Sequence, residues 1–208
     1  ATSAIRSTDN GQDFVEKIKK IYGLKIQIIT GNKEAELIYH GVKQAIDLGQ
    51  SNKLIMDIGG GSTEFIIANK TEIFWKQSFQ LGVSRILANF QPSDPINQDN
   101  IQQIETHLDT TLSPLFTALE KHPCSVLIGS SGSFETLAEM IAHQFYSIKI
   151  LKGKKSYNFV IKDYHWAQNY LLKSNLKERL NTAGIISMRA DMIVLSSVFI
   201  KYIISKAN

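Results

Sequence analysis

Between Asp57 and Glu64 the sequence reads Asp-Ile-Gly-Gly-Gly-Ser-Thr-Glu, three consecutive glycines held between two acids. Three glycines in a row remove every Cβ from a reversal, so backbone N–H groups can come close to an anion. Successive amides turned into one concavity form a nest, and the hydroxyls of Ser62 and Thr63 add donors. Gly59, Gly60, Gly61, Ser62 and Thr63 are therefore candidate phosphate-binding residues. A carboxylate at Asp57 would repel a bare phosphate, which makes sense if a hydrated Mg²⁺ stands between them; Glu64, on the outgoing strand, could hold the same ion or its waters. A hairpin bend needs only one or two glycines and leaves the flanking acids unexplained. No Gly-Lys-Ser/Thr follows, so this is not a Walker A loop, and the glycines lack the spacing of a dinucleotide fingerprint.

The elements around this turn must hold it rigid. Residues 53–57 form a short apolar strand and residues 63–68 another, with the glycines where the hairpin reverses. Asn69-Lys70 turns into a third strand over 72–79. Upstream, Asp9 or Asn10 can cap a helix on which Phe14, Ile18 and Ile21 recur at helical spacing, and Gly23 ends it. Residues 25–30 alternate like a strand. A helix is expected from Lys33 to about Leu48, with Leu37, Ile38, Val42 and Ile46 buried and Gly49 closing it. Downstream, Leu81-Gly82 leads into a helix that stops before Pro92, and a longer helix starts near Gln98, kinked or broken by Pro114.

A buried strand is expected over 125–128. It runs directly into Gly129-Ser130-Ser131-Gly132-Ser133 at the start of a helix carrying Leu137, Met140 and Ile141. Gly129, Ser130, Ser131 and Gly132 could form a second anion site there, or merely a tight strand-to-helix turn. A basic loop follows with Lys149, Lys152, Lys154 and Lys155, which reads as a solvated surface. After it come a short strand over 157–161 and helices from Asp163 and from Gly184. Strands followed by helices, with glycine turns at strand ends, indicate an α/β protein with a mixed sheet.

Composition bounds the function classes. Hydrophobic residues at 43% and charged residues at 20% are those of a globular protein. No apolar run reaches the roughly 18 residues that span a bilayer, so no membrane partner is expected. A formal charge of +4 suits an anionic ligand but not a nucleic-acid partner, which usually demands a dense basic stripe. The single Cys124 excludes an internal disulfide and agrees with a cytoplasmic location. His40, His107, His122, His143 and His165 show no metal-ligand spacing. Trp75 and Trp166 are read as packing residues. The chain opens without Met, as if inside a longer protein.

Several blocks together resemble one family, the exopolyphosphatase and guanosine pentaphosphate phosphatase (Ppx/GppA) group of the actin-like ATPase superfamily. Ala1 to Arg6, with Asn10 and Phe14 behind it, resembles the segment before the family's first acidic motif. Thr30-Gly31-Asn32-Lys33-Glu34-Ala35 resembles the block that supplies the catalytic glutamate. Asp57 to Glu64 matches the second phosphate loop throughout, Gly129 to Ser133 resembles a later glycine loop, and Arg189-Ala190-Asp191 a motif near the end of the second lobe. The fold implied is a ribonuclease H-like (actin-like ATPase) lobe, a mixed central sheet flanked by helices, truncated relative to a two-lobe protein. Residues 1–32 would be a remnant of the first lobe, 33–190 the second lobe, and 191–208 a C-terminal helix that could pack back on the first.

The resemblance implies removal of a terminal phosphate from a phosphoanhydride chain, inorganic polyphosphate or guanosine pentaphosphate (pppGpp), with Mg²⁺. Glu34 would orient and deprotonate the attacking water, Asp57 and Glu64 would hold the metal, and Arg6 could clamp a phosphate oxygen. Glu34 and Arg6 also have plainer readings, an acid favoured at a helix start and a surface ion pair. Arg189 is expected in a structural ion pair with Asp191 or another acid. Where this chain has Lys33-Glu34 the family usually shows two glutamates. A cation there could pair with the base, which keeps open a non-catalytic phosphate-binding module. A kinase or ATPase is the remaining alternative, and a homodimer is left open.

Overall fold

The computed structural model describes residues 1–207. Its elements in chain order are α1 (Ser3–Arg6), α2 (Gly11–Tyr22), α3 (Gly31–Ala45), β1 (Lys53–Ile58), β2 (Thr63–Ala68), β3 (Ile73–Phe79), α4 (Val83–Phe90), α5 (Gln98–Thr111), α6 (Ser113–Lys121), β4 (Leu127–Ser130), α7 (Gly132–Phe145), α8 (Ile161–Lys173), α9 (Leu176–Leu180) and α10 (Ile193–Lys206). Two 3-10 turns, Ile148–Ile150 and Ser187–Arg189, complete the list. The sheet runs β3-β2-β1-β4, antiparallel across the first three strands and parallel between β1 and β4. This is the mixed sheet flanked by helices that the resemblance implies.

Strand alternation assigns the two faces. Ile55, Ile66 and Ala68 point to one side, where α3 covers them with Ala35 and Tyr39. Leu54, Met56, Ile58, Phe65, Ile67 and Phe79 point to the other, into a larger core. β2 is buried along its whole length because both its faces are covered and both its edges are paired. α3 starts where it does because the Thr30 side chain accepts the Lys33 amide at 3.2 Å. Pro114 lies in the first turn of α6, and the helical run breaks at Leu112 as expected.

Several expected elements take other forms. Residues 25–30 make no strand: their backbone bonds to Ala1 through Gln27 and Ile29, to the Arg6 side chain through Ile29 and to the start of α3 through Thr30, and among the described residues no neighbouring strand offers a ladder. Residues 157–160 are likewise irregular, held by the edge-to-face pair of Tyr157 and Phe159, and α8 begins at Ile161. Leu37 is exposed, because the buried stripe of α3 runs through Ala35 and Tyr39. The fourth strand is shifted two residues from 125–128 and is only partly buried, as an edge strand must be. The region after Gly184 is a 3-10 turn followed by α10, not one helix. α10 packs on α8, α4, α7 and α5 within the larger core. Phe14, Ile21, Tyr22 and Leu24 of the N-terminal segment are exposed.

Candidate active site

At one end of the sheet a single row of polar residues crosses all four strands. Ser78 pairs with Glu64, Glu64 with Asp57, and Asp57 with Ser130. Paired residues share a face, so the four side chains stand side by side, about 5 Å from one Cβ to the next. The Ser78 hydroxyl donates to Glu64 Oε1 at 2.6 Å. Glu64 is only 2% exposed. Burial pushes its carboxyl above the ordinary range, hydrogen bonds from Ser78 and Ser62 oppose that, and the charges of Glu34 and Asp57 add to it. Asp57 is raised for the same first reason, with the Ser130 hydroxyl pulling down and Glu34 pushing up. Two neighbouring oxygen ligands whose charged forms are disfavoured suit a hard divalent cation. Among the described residues no three His, Cys, Asp or Glu side chains converge as a metal cage. A cation here would keep a water-rich shell, as Mg²⁺ commonly does.

The glycine turn lies beside this row and is oriented from behind. The carbonyls of Gly59 and Gly60 accept the amides of Val83 and Ser84, each at 3.0 Å, and Gly61 O accepts Arg85 Nε at 2.8 Å. With its carbonyls committed to the start of α4, the turn leaves the amides of Gly60, Gly61 and Ser62 without a protein acceptor among the described residues. Gly82 makes this packing feasible, since a Cβ there would fall 2.1 Å from Gly60 O. A Cβ on Gly61 would meet Ser3 Oγ at 2.7 Å, so α1 closes on the turn from the other side. Thr63 sits otherwise than expected: it is fully buried and its hydroxyl donates to Leu81 O at 2.9 Å, which ties β2 to the start of α4.

α3 brings Glu34 to the same end of the sheet. Gly31 lies directly over Ser78, where a Cβ would come within 2.4 Å of the serine Cβ. The first turn of α3 therefore rests on the residue that bonds Glu64. Arg6 Nη1 donates to Glu34 Oε2 and to Ile29 O, both at 2.9 Å, which leaves Nε and Nη2 of the guanidinium for other partners. Lys33 does not pair with Glu34. It turns outward and bonds Glu36 at 2.8 Å, one turn along the helix surface.

The β4–α7 turn holds its glycines for packing reasons. A Cβ on Gly129 would lie 2.0 Å from the Phe134 ring, and one on Gly132 would lie 2.2 Å from the Arg189 guanidinium. Ser131 occupies φ 71° and ψ −176°, a region nearly reserved for glycine, and its hydroxyl donates to Ile58 O at 2.9 Å. That bond fastens the start of α7 to the end of β1. Arg189 donates to Gly132 O and pairs with Glu135 at 3.3 Å, so its acid is Glu135 and not Asp191. The four loop lysines come after α7, a helix about 21 Å long that starts beside the row. Trp75 and Trp166 pack against the larger core. A broad depression of 740 Å³ on α5, lined by Phe90, Gln103 and His107 among others, contains none of the row residues.

Residues 1–206 match the Ppx/GppA phosphatase family. The chain belongs to that family. It superposes on an exopolyphosphatase from Cytophaga hutchinsonii with a TM-score of 0.93 and 38% identity, covering all of this chain and 66% of that one. It superposes on the Ppx/GppA enzyme of Aquifex aeolicus with a TM-score of 0.79 and 22% identity, covering 99% of this chain and 66% of that one. This Ppx/GppA chain thus spans just under two thirds of the length of these solved relatives. Gly82, Ser78 and the Arg6–Glu34 pair are the site features that sequence reading missed. Only Gly82 carried a signal, as a glycine at a strand-to-helix junction.

Proposed function

We propose that this chain forms one wall of a site that hydrolyses terminal phosphoanhydride bonds, with inorganic polyphosphate as the substrate. The observation that carries the reading is the Asp57–Glu64 pair standing next to three unpaired amides. The site needs a cation and an anion at adjacent positions, which is what a metal-bound phosphate supplies. Phosphoryl transfer chiefly demands positioning and neutralisation of charge on the phosphate oxygens. Mg²⁺, when held by Asp57 and Glu64, would supply part of that neutralisation. The amides of Gly60, Gly61 and Ser62 orient the phosphate, and the free N–H groups of Arg6 reach an oxygen beside it. Glu34, held by Arg6, aligns the attacking water and accepts its proton. Membership of a phosphatase family and likeness to a protein described as an exopolyphosphatase support the reading.

The feature that favoured a non-catalytic module has a different meaning in the structure, because Lys33 is engaged by Glu36. The test is phosphate release from polyphosphate and from guanosine pentaphosphate by the full-length protein with Mg²⁺. Glu34→Ala is expected to abolish turnover while phosphate binding persists. Inertness of the unmodified protein toward both substrates would sink the proposal, and unchanged turnover in the variant would remove Glu34 from the mechanism.

A further inference from the structure

Arg85 stands in the first turn of α4 and pairs with no carboxylate among the described residues. Its fork is spent on two neutral oxygens instead. Nε donates to Gly61 O and Nη2 to the Ser7 hydroxyl, both at 2.8 Å. Ser7 directly follows Arg6 at the end of α1, and its own hydroxyl donates to Ser3 O at 2.7 Å. Beyond the start of α2, residues 1–8 otherwise bond only to Gln27, Ile29 and Glu34 among the described residues. Arg85 is thus the one side chain that ties α1 by hydrogen bonds to the glycine turn. We infer that Arg85 is a positioning residue, setting the distance between the turn that holds the phosphate and Arg6, which holds Glu34. The inference rests on the phosphoanhydride reading of the row.

Two plainer roles fit the geometry less well. A guanidinium without an acid, next to a phosphate turn, invites the role of phosphate ligand. Yet Arg85 meets the turn at a carbonyl, whereas the turn's unpaired amides are what an anion would take. A brace for α4 alone would not need Ser7, because the Val83 and Ser84 amides already tie that helix to Gly59 O and Gly60 O. The bond to Ser7 adds nothing to that brace and reaches across to α1. A guanidinium carries its donors in a rigid plane, so two acceptors held by one fork are fixed relative to each other. Packing repeats the link, since Ser3 lies against Gly61 from the same short helix.

The test uses the full-length protein and the variants Ser7→Ala, Ser7→Thr, Arg85→Gln and Arg85→Lys, each assayed well below its Tm. Misalignment of phosphate and base should lower kcat for polyphosphate about tenfold in Ser7→Ala and further in Arg85→Gln, with KM within about twofold. Ser7→Thr keeps the hydroxyl and should recover most of the turnover. Arg85→Lys keeps the charge without the fork and should stay impaired. The second readout needs no substrate. Hydrogen exchange at the Arg6 amide, which bonds Thr2 O within α1, should quicken about tenfold in Arg85→Gln. Full turnover in Ser7→Ala, full recovery in Arg85→Lys, a loss carried by KM alone or unchanged exchange would each overturn the inference. Faster exchange in a protein inert toward polyphosphate keeps the link and loses the hydrolase, whereas turnover with unchanged exchange does the reverse.

Discussion

Gly82→Ala tests how the glycine turn is held. Gly82 has φ −70° and ψ 151°, a conformation that alanine adopts freely, so the substitution adds no backbone strain. Its only effect is steric. The new Cβ would lie 2.1 Å from Gly60 O, 2.2 Å from Gly60 C and 2.3 Å from Gly61 N, all backbone atoms that cannot swing aside as a side chain can. Reaching ordinary contact requires the turn and the start of α4 to part by roughly 1 Å. Overpacking of this kind costs about 1–3 kcal/mol of stability. A displacement of about 1 Å at a phosphate-positioning loop can also cost on the order of a hundredfold in rate. Thermal unfolding and phosphate release, measured on the full-length variant, should show a lower Tm and a larger fractional loss of turnover. Gly41→Ala is the control: it lies in α3 with open space around its Cβ position, and alanine there should stabilise by up to about 1 kcal/mol. A Gly82→Ala protein with full turnover and unchanged Tm would refute the account of the turn as packed from behind.

Other expectations follow from single contacts. Ser78→Ala removes the hydrogen bond to the buried Glu64 carboxylate and should destabilise by about 1–3 kcal/mol, read by urea unfolding; no change would mean that water replaces the serine. The Cys124 thiol is pushed up to about 11 by burial, so at pH 8 it should react with a disulfide reagent on the order of a hundredfold slower than free cysteine, and a rate like that of the free thiol would contradict its placement. Asp109 is held below its ordinary pKa first by Lys206, at 2.7 Å, and then by Tyr202. A depressed folded pKa stabilises above the unfolded value of 3.8 and is lost as pH falls through the folded one. Asp109→Asn should therefore cost a little stability at pH 7 and none at about pH 2, a small effect because the pair is half-exposed. Equal cost at both values would show that the ion pair is not its source.

The parts of the site legible in sequence were the local ones. Asp57 and Glu64 flank a reversal, and once the glycines make the turn, the hairpin register puts the two acids opposite each other. The strands either side were legible because their apolar residues alternate or run unbroken between turn signals. What escaped depends on partners distant in the chain. Ser78 reads as an unremarkable strand serine until the third strand sets it against Glu64. Arg6 and Glu34 are 28 residues apart, and nothing in either segment announces the pairing. Lys33 was misread because adjacency in sequence is not proximity on a helix, where the neighbour that matters lies three residues on. Residues 25–30 have strand alternation, but alternation cannot supply the ladder partner a strand requires.

The row across the sheet also explains why the proposed site would be stiff. Each of its four side chains leaves a strand that is bonded to the next, so their spacing is set by the ladder and not by side-chain freedom. The glycine turn is braced by α4 through Gly82, and the start of α3 rests on Ser78 through Gly31. Both helices therefore report on the same end of the sheet, and neither can move without disturbing a carboxylate or an amide of the row. What remains adjustable is Arg6, which lies in a four-residue helix and is joined to Glu34 by one nitrogen of its fork. In the proposed reaction the arrival of a phosphate would recruit the other nitrogens without breaking that bond. Substrate binding and placement of the base would then be linked through a single guanidinium.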